Sequence, residues 1–545
     1  MDSDATTKFV PEYRKTNFKN KNRFQSDEIR RRRENQQVEL RKARRDEILT
    51  KKRNFAGPKV LGNDSDDSDD ESKSDNNFMN KLQHDLPVMV NKIQSDDLQS
   101  QLEATIEFRK ILSREHNPPI DAVIESGVVP RLVSFMSDTP ELLQLEAAWA
   151  LTNIASGSSN QTRVVVDAGA VPLFVKLLYS PSVDVKEQAI WALGNVAGDS
   201  SAYRDYVLSC DAMDPVLSLF ASQKATLIRT ATWTLSNLCR GKNPQPEWSI
   251  VRAALPTLAK LIYSLDLETL IDACWAISYL SDGPQEAIQA VVDARIPRRL
   301  VDLLTHESNL VQTPALRAVG NIVTGNDNQT QIVVNCGVLT ALAPLLNSSK
   351  ETLRKEACWT VSNITAGNTD QIQAVIDSNL IPQIIRLLAT GEYKTKKEAC
   401  WAISNASSGG LAKPEQIKYL VNQGCIKPLC DLLTLADSKI IEVALDALDN
   451  ILKVGDIEKE TLGSPVNQHA IYVEEAGGAE KIFECQRSEN ERVYQKAFAI
   501  VEKYFSAEDD DLDNDVDGLN PEQSGDAFGF GIGSSQRGEL EFNFN

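Results

Sequence analysis

The sequence predicts an all-α solenoid of stacked helical repeats, because one pattern recurs at a strict interval and no period-2 strand pattern competes with it. Seven positions lie 42 residues apart in the 545-residue chain, and a second repeated position follows each by four residues. We call the two sets the Trp-Asn ladder. The first set is Trp149, Trp191, Trp233, Trp275, Arg317, Trp359 and Trp401, and the second is Asn153, Asn195, Asn237, Tyr279, Asn321, Asn363 and Asn405.

Three further positions of each repeat carry small or branched apolar residues, which predict the core. Alanine stands two residues before each ladder position, from Ala147 to Ala399, and Ala444 marks a looser last unit. Leu, Ile or Val stands two residues after it, from Leu151 to Ile403, and again three residues later, from Ile154 to Ile364. These residues let neighbouring helices approach one another and bury their apolar stripe.

Each repeat is expected to contain three helices. In one unit, Gly and Pro open a helix at 169–178, and a short apolar stretch at 203–210 begins the next unit. Between them, the long helix that carries Trp191 begins at Ser182 and ends at Gly198. Three helices in about 42 residues favour an armadillo repeat over a two-helix repeat of about 34 residues.

The ladder is expected to face solvent. Its Trp position becomes Arg317 in one unit and Asp446 in the last, and burying an unpaired charge costs several kcal/mol. Residues at i and i+4 share a helix face, so the Trp and Asn side chains should line one surface. Parallel indoles would sandwich the stem of a peptide Lys or Arg, and the Asn amides would hold peptide N–H and C=O groups.

Two irregularities refine this hypothesis. Four residues after the second ladder position most units have glycine, whereas one has Asp199. A carboxylate there would fix one particular Lys, and a solvated surface Asp is the alternative. The ladder is also interrupted at Tyr279 and Arg317, which predicts two sites, at 149–233 and 359–401. The glycines are Gly157, Gly241, Gly283, Gly325, Gly367 and Gly409.

Charge divides the chain into a basic arm and an acidic body. Residues 1–60 hold 18 Lys and Arg against 9 Asp and Glu, and the remainder holds 40 against 68. We expect an arm at 1–60 with a helix over 27–52, a flexible acidic linker at 61–82, a repeat domain at 83–506 and a disordered acidic tail at 507–545. The linker serines suit either phosphorylation or a solvated spacer.

Composition excludes several function classes. The nine cysteines lack zinc-type spacing, and Cys274, Cys358 and Cys400 occupy core positions. The four histidines join no nucleophile or metal set, so no enzyme, metal or cofactor is expected. Without a signal peptide or a long apolar run, the protein is expected to be soluble and intracellular. The arm lacks interleaved aromatics and the body is acidic, which argues against nucleic acid or lipid as partner.

Long motifs then resemble the importin-alpha family over nearly the whole chain, most closely its fungal members. The repeats carry EAAWALTNIASG at 146–157, KEQAIWALGNVAGDS at 186–200, RTATWTLSNLCRG at 229–241 and KKEACWAISNASSGG at 396–410, and the arm carries RRRRENQQVELRKARRDE at 30–47. The resemblance implies a right-handed superhelix of about ten armadillo repeats. It also implies a nuclear-import adaptor that shuttles between cytoplasm and nucleus and binds Lys/Arg-rich nuclear localisation signals.

The resemblance further implies two peptide sites in a concave groove. The major site would comprise Trp149, Asn153, Gly157, Thr162, Gln188, Trp191, Asn195, Asp199, Trp233 and Asn237. The minor site would comprise Arg317, Asn321, Val323, Thr330, Glu356, Trp359, Asn363, Glu398, Trp401 and Asn405.

The arm resembles an importin-beta-binding domain. Its cluster Lys51, Lys52 and Arg53 would occupy the major site when importin-beta is absent. A nuclear export receptor with Ran-GTP would dock near 470–520, and nucleoporins would be further partners. An adhesion or transcription scaffold of the catenin kind is the alternative, and it would lack an arm that competes for its own groove.

Overall fold

The computed structural model describes residues 71–114, 117–137, 139–241 and 243–505. The arm, including Lys51, Lys52 and Arg53, lies outside the described residues, as do residues 61–70 of the expected linker and the tail from 507. Within the described ranges the regular elements are helices, and there is no strand. The described part of the chain is therefore all-α, as predicted.

Ten long helices form the spine of the repeat array, and we number these α1 to α10. Each packs against the next along the chain, so the array is a solenoid. They are α1 Leu98–Leu112, α2 Glu141–Ala155, α3 Val183–Asp199, α4 Ala225–Cys239, α5 Leu267–Leu280, α6 Asn309–Ile322, α7 Glu351–Thr365, α8 Tyr393–Gly410, α9 Ser438–Leu462 and α10 Glu491–Tyr504.

Shorter helices connect the spine, usually two between successive long helices, which confirms the three-helix repeat. Their α-helical bounds are Ile120–Glu125, Val129–Ser134, Ser159–Asp167, Ala170–Leu177, Ser201–Ser209, Met213–Ser218, Trp248–Val251, Leu255–Leu261, Gln285–Asp293, Ile296–Leu303, Asp327–Asn335, Val338–Leu346, Thr369–Asp377, Ile381–Thr390, Pro414–Asn422, Ile426–Leu432, Gln468–Glu475 and Gly478–Cys485. Two short 3-10 turns, Leu219–Ala221 and Arg252–Ala254, complete the connections.

The predicted core positions are buried in every repeat. The alanines from Ala147 to Ala444 have no exposed surface, and the branched residues after the ladder position are likewise buried. Cys274, Cys358 and Cys400 lie in the same core. Burial raises the pKa of the Cys274 thiol to about 12, so this side chain stays neutral and packs as a small apolar residue.

Capping boxes explain the glycine that follows the ladder helix at Gly157, Gly325 and Gly367. Ser158 and Gln161 exchange side-chain and backbone hydrogen bonds at the start of the helix that follows α2, and equivalent boxes follow α6 and α7. A Cβ at Gly157 would lie 1.9 Å from Oε1 of Gln161. These glycines therefore make room for the cap of the next helix.

Two expected boundaries differ from the structure. The helix Glu71–Gln94 begins inside the stretch 61–82, so residues 71–82 are helical rather than a flexible linker. Burial of Leu82, Met89 and Ile93 along this helix supplies the packing that the linker prediction overlooked. The helix α3 continues to Asp199 instead of ending at Gly198, because Ser200 directly caps the next helix and no glycine turn intervenes.

Among the described residues, no single helix has the length and apolar composition needed to span a membrane. One pair of helices, Asp327–Asn335 and Val338–Leu346, meets that criterion together, with a bend of 79° between them.

Candidate peptide-binding site

The ladder asparagines connect successive long helices. Nδ2 of Asn195 donates to the carbonyl oxygen of Thr152 at 3.2 Å, and Nδ2 of Asn237 donates to that of Gly194 at 3.0 Å. Asn321 and Asn405 make the same bond to Ser278 and Ser362, both at 2.8 Å, and Asn153 donates to the hydroxyl of Ser113 at 2.9 Å. The Nδ2 group of each of these amides therefore donates a hydrogen bond within the protein.

A column of small residues lies beneath the ladder, and the sequence analysis missed it. The residue before each second ladder position is Gly, Ser or Thr. At Thr152, Gly194, Ser278 and Ser362 it supplies the carbonyl oxygen that the next ladder asparagine binds. A Cβ at Gly194 would lie 2.4 Å from the Trp233 ring, and one at Gly320 would lie 2.4 Å from the Trp359 ring. Absence of a side chain at these two positions allows each indole to lie on the preceding helix. The column is Thr152, Gly194, Ser236, Ser278, Gly320, Ser362 and Ser404.

The prediction that the ladder is open to solvent is wrong for most of its residues. Trp191, Trp275, Trp359 and Trp401 are only 4–8% exposed, and the six asparagines are 0–6% exposed. Trp149 and Trp233 keep a larger exposed fraction. The close approach of each indole to the preceding helix, seen at Gly194 and Gly320, contributes to this burial. The exposed fractions of these tryptophans therefore do not support a row of solvent-exposed indole faces.

The charged residues at ladder positions are not evidence of exposure either. Arg317 is 6% exposed, and its guanidinium carbon lies 5.6 Å from the Trp275 ring centroid. Asp446 forms an ion pair with Lys496, and burial raises the pKa of its carboxyl group. Both charges have partners within the fold, and the sequence argument had assumed that they would be unpaired.

The expectation that the indoles are parallel, so as to sandwich a peptide side chain, is wrong for the indole pair seen in contact among the described residues. The rings of Trp191 and Trp233 are 6.4 Å apart with an interplanar angle of 60°, which is an edge-to-face arrangement. Trp275 instead stacks on Tyr279, with centroids 5.9 Å apart and planes at 27°. Together with Arg317, Tyr279 covers Trp275, so the break in the sequence pattern corresponds to a ring that contacts its own chain.

Several amides keep an unused hydrogen-bonding atom beside these rings. Among the described residues, Oδ1 of Asn153, Asn195 and Asn405 is buried without a hydrogen-bond partner, and at Asn363 the unpartnered atom is Nδ2. A buried polar atom without a partner costs about 1–3 kcal/mol, so a ligand that satisfies it gains affinity. Asn153 and Asn195 lie on the successive helices α2 and α3, whereas Asn405 lies on α8, so these oxygens belong to two separate parts of the ladder.

The other residues predicted for the two sites, outside the Trp-Asn ladder itself, make hydrogen bonds or pack beside the ladder. The Thr162 hydroxyl donates to the carbonyl oxygen of Ala155 at 3.0 Å, and the Thr330 hydroxyl donates to that of Val323 at 3.3 Å. Val323 itself is fully buried, so its side chain belongs to the core. Gln188 and Glu356, three residues before their tryptophans, are also largely buried, whereas Glu398 is partly exposed.

Asp199 ends helix α3 with a partly exposed side chain. Its Oδ1 accepts a hydrogen bond from the Ser159 hydroxyl at 2.9 Å. Nearby, the Arg240 guanidinium donates to the carbonyl oxygen of Gly198 at 2.7 Å. Sequence reasoning did not single out Arg240, because its place in the repeat has no charged counterpart in most units.

Charge pairs between neighbouring helices fix the spacing of the site. The Arg229 guanidinium on α4 donates to Asp266, the N-cap of α5, at 2.6 Å and 3.2 Å. Hydrogen bonds from Arg229 and Thr269 outweigh the effect of burial and lower the pKa of Asp266 to about 2. Lys397 and Asp437 form a similar pair at 2.8 Å between α8 and α9. Among the described residues no cluster of His, Cys, Asp or Glu fits a metal ion.

Comparison with known families matches both parts of the chain. The family model described as the importin beta binding domain matches residues 14–106, which extends past residue 60 into the helical region. The armadillo/beta-catenin-like repeat matches eight segments between 116 and 453, and an atypical Arm repeat matches 467–522.

Full-length relatives match as well. Importin subunit alpha of Saccharomyces cerevisiae is 68% identical over 99% of this chain and 99% of its own length. The chain belongs to the importin alpha family. Importin subunit alpha-1 of Schizosaccharomyces pombe is 54% identical over 99% of this chain and 98% of its own, and importin subunit alpha-4 of Arabidopsis thaliana is 51% identical over 93% and 94%.

A solved structure of an engineered protein is also similar to this importin alpha chain, with a TM-score of 0.69 at 31% identity, covering 77% of this chain and 98% of the engineered one. Importin alpha proteins are transport adaptors and not enzymes, so this chain is an adaptor of nucleocytoplasmic transport. The matches to the armadillo repeat and to the importin beta binding domain support this role.

Proposed function

We propose that the protein is a nuclear-import adaptor that binds Lys/Arg-rich localisation signals along its ladder and links them to importin-beta through its arm. The observation that carries the proposal is the combination of two matches in one chain. An importin beta binding domain over 14–106 precedes eight armadillo repeats, and a scaffold of the catenin kind gives no reason to expect that domain. The function therefore rests on family membership and not on the exposure of the rings.

Peptide binding is assigned to the two ladder segments named above as the major and minor sites. The unpartnered Oδ1 atoms of Asn153 and Asn195 support a peptide backbone at the major site, and that of Asn405 supports one at the minor site. Asp199 would receive one Lys of the signal. The contacts of Trp275 with Tyr279 and Arg317 support a division of the ladder into two segments.

The arm would compete with cargo for the major site. Its cluster Lys51, Lys52 and Arg53 resembles a localisation signal and is tethered to the groove that it would occupy. A tethered ligand acts at an effective concentration of roughly 1 mM. With an intrinsic dissociation constant of about 10 μM, it would weaken apparent cargo affinity about 100-fold, and importin-beta would remove this penalty by binding the arm.

The same family role suggests the rest of a transport cycle. In the nucleus, Ran-GTP would release importin-beta, and an export receptor would bind near 470–520 and return the adaptor. Shuttling between cytoplasm and nucleus follows from this cycle, with nucleoporins as transient partners. The match of an atypical Arm repeat to 467–522 supports a docking role for this end of the chain that is separate from the regular repeats.

Titration of a labelled basic peptide tests the proposal. The peptide is added to the full-length protein, to the full-length protein with excess importin-beta, and to a variant that lacks residues 1–60. We expect the last two to bind the peptide about 100-fold more tightly than the full-length protein alone. Equal affinities would refute autoinhibition, and absence of binding in all three would refute the adaptor function.

A further inference from the structure

Two cations of the chain itself lie over the first and last tryptophans of the ladder. The guanidinium carbon of Arg109 is 4.8 Å from the Trp149 ring centroid, and Nζ of Lys439 is 5.6 Å from that of Trp401. Both distances lie within the roughly 6 Å over which an aromatic face attracts a cation. Arg109 belongs to α1, which precedes the first Trp helix, and Lys439 belongs to α9, which follows the last. The two cations therefore flank the ladder from outside.

Arg109 is held firmly in this place. Its Nε lies 2.6 Å from Oε2 of Glu146 and its Nη2 lies 3.3 Å from Oε1, and both side chains are more than nine-tenths buried. A bidentate pair of this kind fixes the plane of the guanidinium group. Its Nη1 is buried without a hydrogen-bond partner among the described residues, so one donor remains beside Trp149.

Lys439 is less buried and has a weaker restraint. Its Nζ lies 3.0 Å from Oε2 of Glu442, and 28% of its side chain is exposed. Removing Lys439 would not leave Glu442 isolated, because Arg492 lies 4.0 Å from the same carboxylate. A substitution at Lys439 is thus a milder perturbation than one at Arg109, whose loss would leave Glu146 buried with an uncompensated charge.

We propose that Arg109 and Lys439 are end-stops of the peptide groove, which set how many consecutive basic residues it accepts. The inference rests on the proposed function and adds a specificity to it. A peptide Lys or Arg gains affinity when it reaches the face of an indole, but at these two rings a cation of the chain already occupies one side. A second cation there would meet a like charge at short range, so basic residues beyond each end add no affinity.

At the interruption of the ladder, a cation of the chain also lies over an indole ring. The Arg317 guanidinium lies 5.6 Å from the Trp275 ring, on the helix that follows it. A cation of the chain therefore lies over Trp149 and Trp401, the outer rings of the two segments, and over Trp275, in the interruption between them.

A pair of two-cluster peptides tests the end-stops in the full-length protein. Both carry the same basic clusters, joined by a flexible linker of about 12 residues, which is enough to span three repeats at about 10 Å each. One peptide is flanked by Gly-Gly at both ends and the other by Arg-Arg. The measured quantity is the ratio of their dissociation constants, and competition by the arm affects both peptides equally.

For the wild type we expect a ratio close to one. In Lys439→Ala the Arg-flanked peptide should bind about threefold more tightly than the Gly-flanked peptide, the gain typical of one added cation–π contact. The matched control is Lys453→Ala, on the same helix and with the same loss of charge, where Lys453 pairs with Asp449 instead. Its ratio should equal that of the wild type.

The double variant Arg109→Met/Glu146→Met tests the other end without leaving a buried charge, and thermal unfolding verifies that it folds. It should show the same gain for the Arg-flanked peptide. Equal ratios in the wild type, Lys439→Ala and the double variant would overturn the end-stop proposal alone. If the wild type bound neither peptide, the proposed function itself would fail.

Discussion

The side-chain amide of Asn195 donates a hydrogen bond to the carbonyl oxygen of Thr152 at 3.2 Å, which ties α3 to α2. The other half of the same amide, Oδ1, is buried without a hydrogen-bond partner among the described residues. Under the proposed function, one residue thus serves both the packing of the solenoid and the binding of a peptide. Loss of this side chain should therefore affect stability and binding together.

Replacement of Asn195 tests this double role. In Asn195→Ala the Thr152 carbonyl oxygen loses its donor, so the free energy of unfolding should fall by about 1–2 kcal/mol. Affinity for a single-cluster basic peptide should fall about two- to tenfold, because one peptide N–H loses its acceptor. Chemical denaturation and fluorescence anisotropy measure the two effects. Asn422→Ala, at an exposed position, is the control and should change neither.

Replacement of Gly320 tests whether the small column sets the position of the indoles. In Gly320→Ala the new methyl group would lie 2.4 Å from the Trp359 ring, so the ring must move. We expect several-fold weaker binding of a two-cluster peptide and unchanged binding of a single-cluster peptide at the major site, measured by anisotropy. Ser362→Ala, in the same column but already with a Cβ, is the matched control. An unchanged affinity in Gly320→Ala would show that the ring position is irrelevant to binding.

The pair Arg229–Asp266 should make stability depend on acid pH. The pKa of Asp266 is lowered from 3.8 to about 2 in the folded protein. Because the folded-state pKa is below the unfolded one, the contribution is complete above about pH 4 and is lost as pH falls toward 2. After allowance for solvent screening we expect about 1 kcal/mol. Denaturation of the wild type and Asp266→Asn from pH 7 to pH 3 should show a difference that shrinks below pH 4. A difference independent of pH would contradict this assignment, and Asp293→Asn is the exposed control.

Sequence reasoning predicted the repeat and its core because periodic burial leaves a direct trace in residue type. The position of Ala189 is alanine in every ladder unit, and the position of Leu193 is Leu, Ile or Val; both are fully buried. It overestimated the solvent exposure of the ladder side chains, because a charged residue at a ladder position was taken as evidence that the position faces solvent. Arg317 instead lies over Trp275, and only a three-dimensional neighbour can reveal such a partner.

The small column was visible in the sequence but was not recognised. The residue before each ladder asparagine is small in all units, and Gly194 and Gly320 are the extreme cases. Its meaning depends on the next repeat, since the Cβ that is missing from Gly194 would collide with Trp233, about 40 positions later in the chain. Periodicity alone therefore predicted the long helices α2 to α8 that carry the ladder, but it assigned their ladder side chains too much solvent exposure.

The central claim, that this face of the ladder binds basic peptides, is tested most directly at Asp199. This side chain is partly exposed at the end of α3, where a Lys is well tolerated because it suits the helix dipole. A labelled single-cluster peptide is titrated against the full-length wild type, Asp199→Lys and the control Asp167→Lys, which changes an exposed residue by the same charge. We predict that Asp199→Lys loses measurable binding while it unfolds at the wild-type midpoint and Asp167→Lys binds normally. Undiminished binding by a folded Asp199→Lys protein would contradict the account.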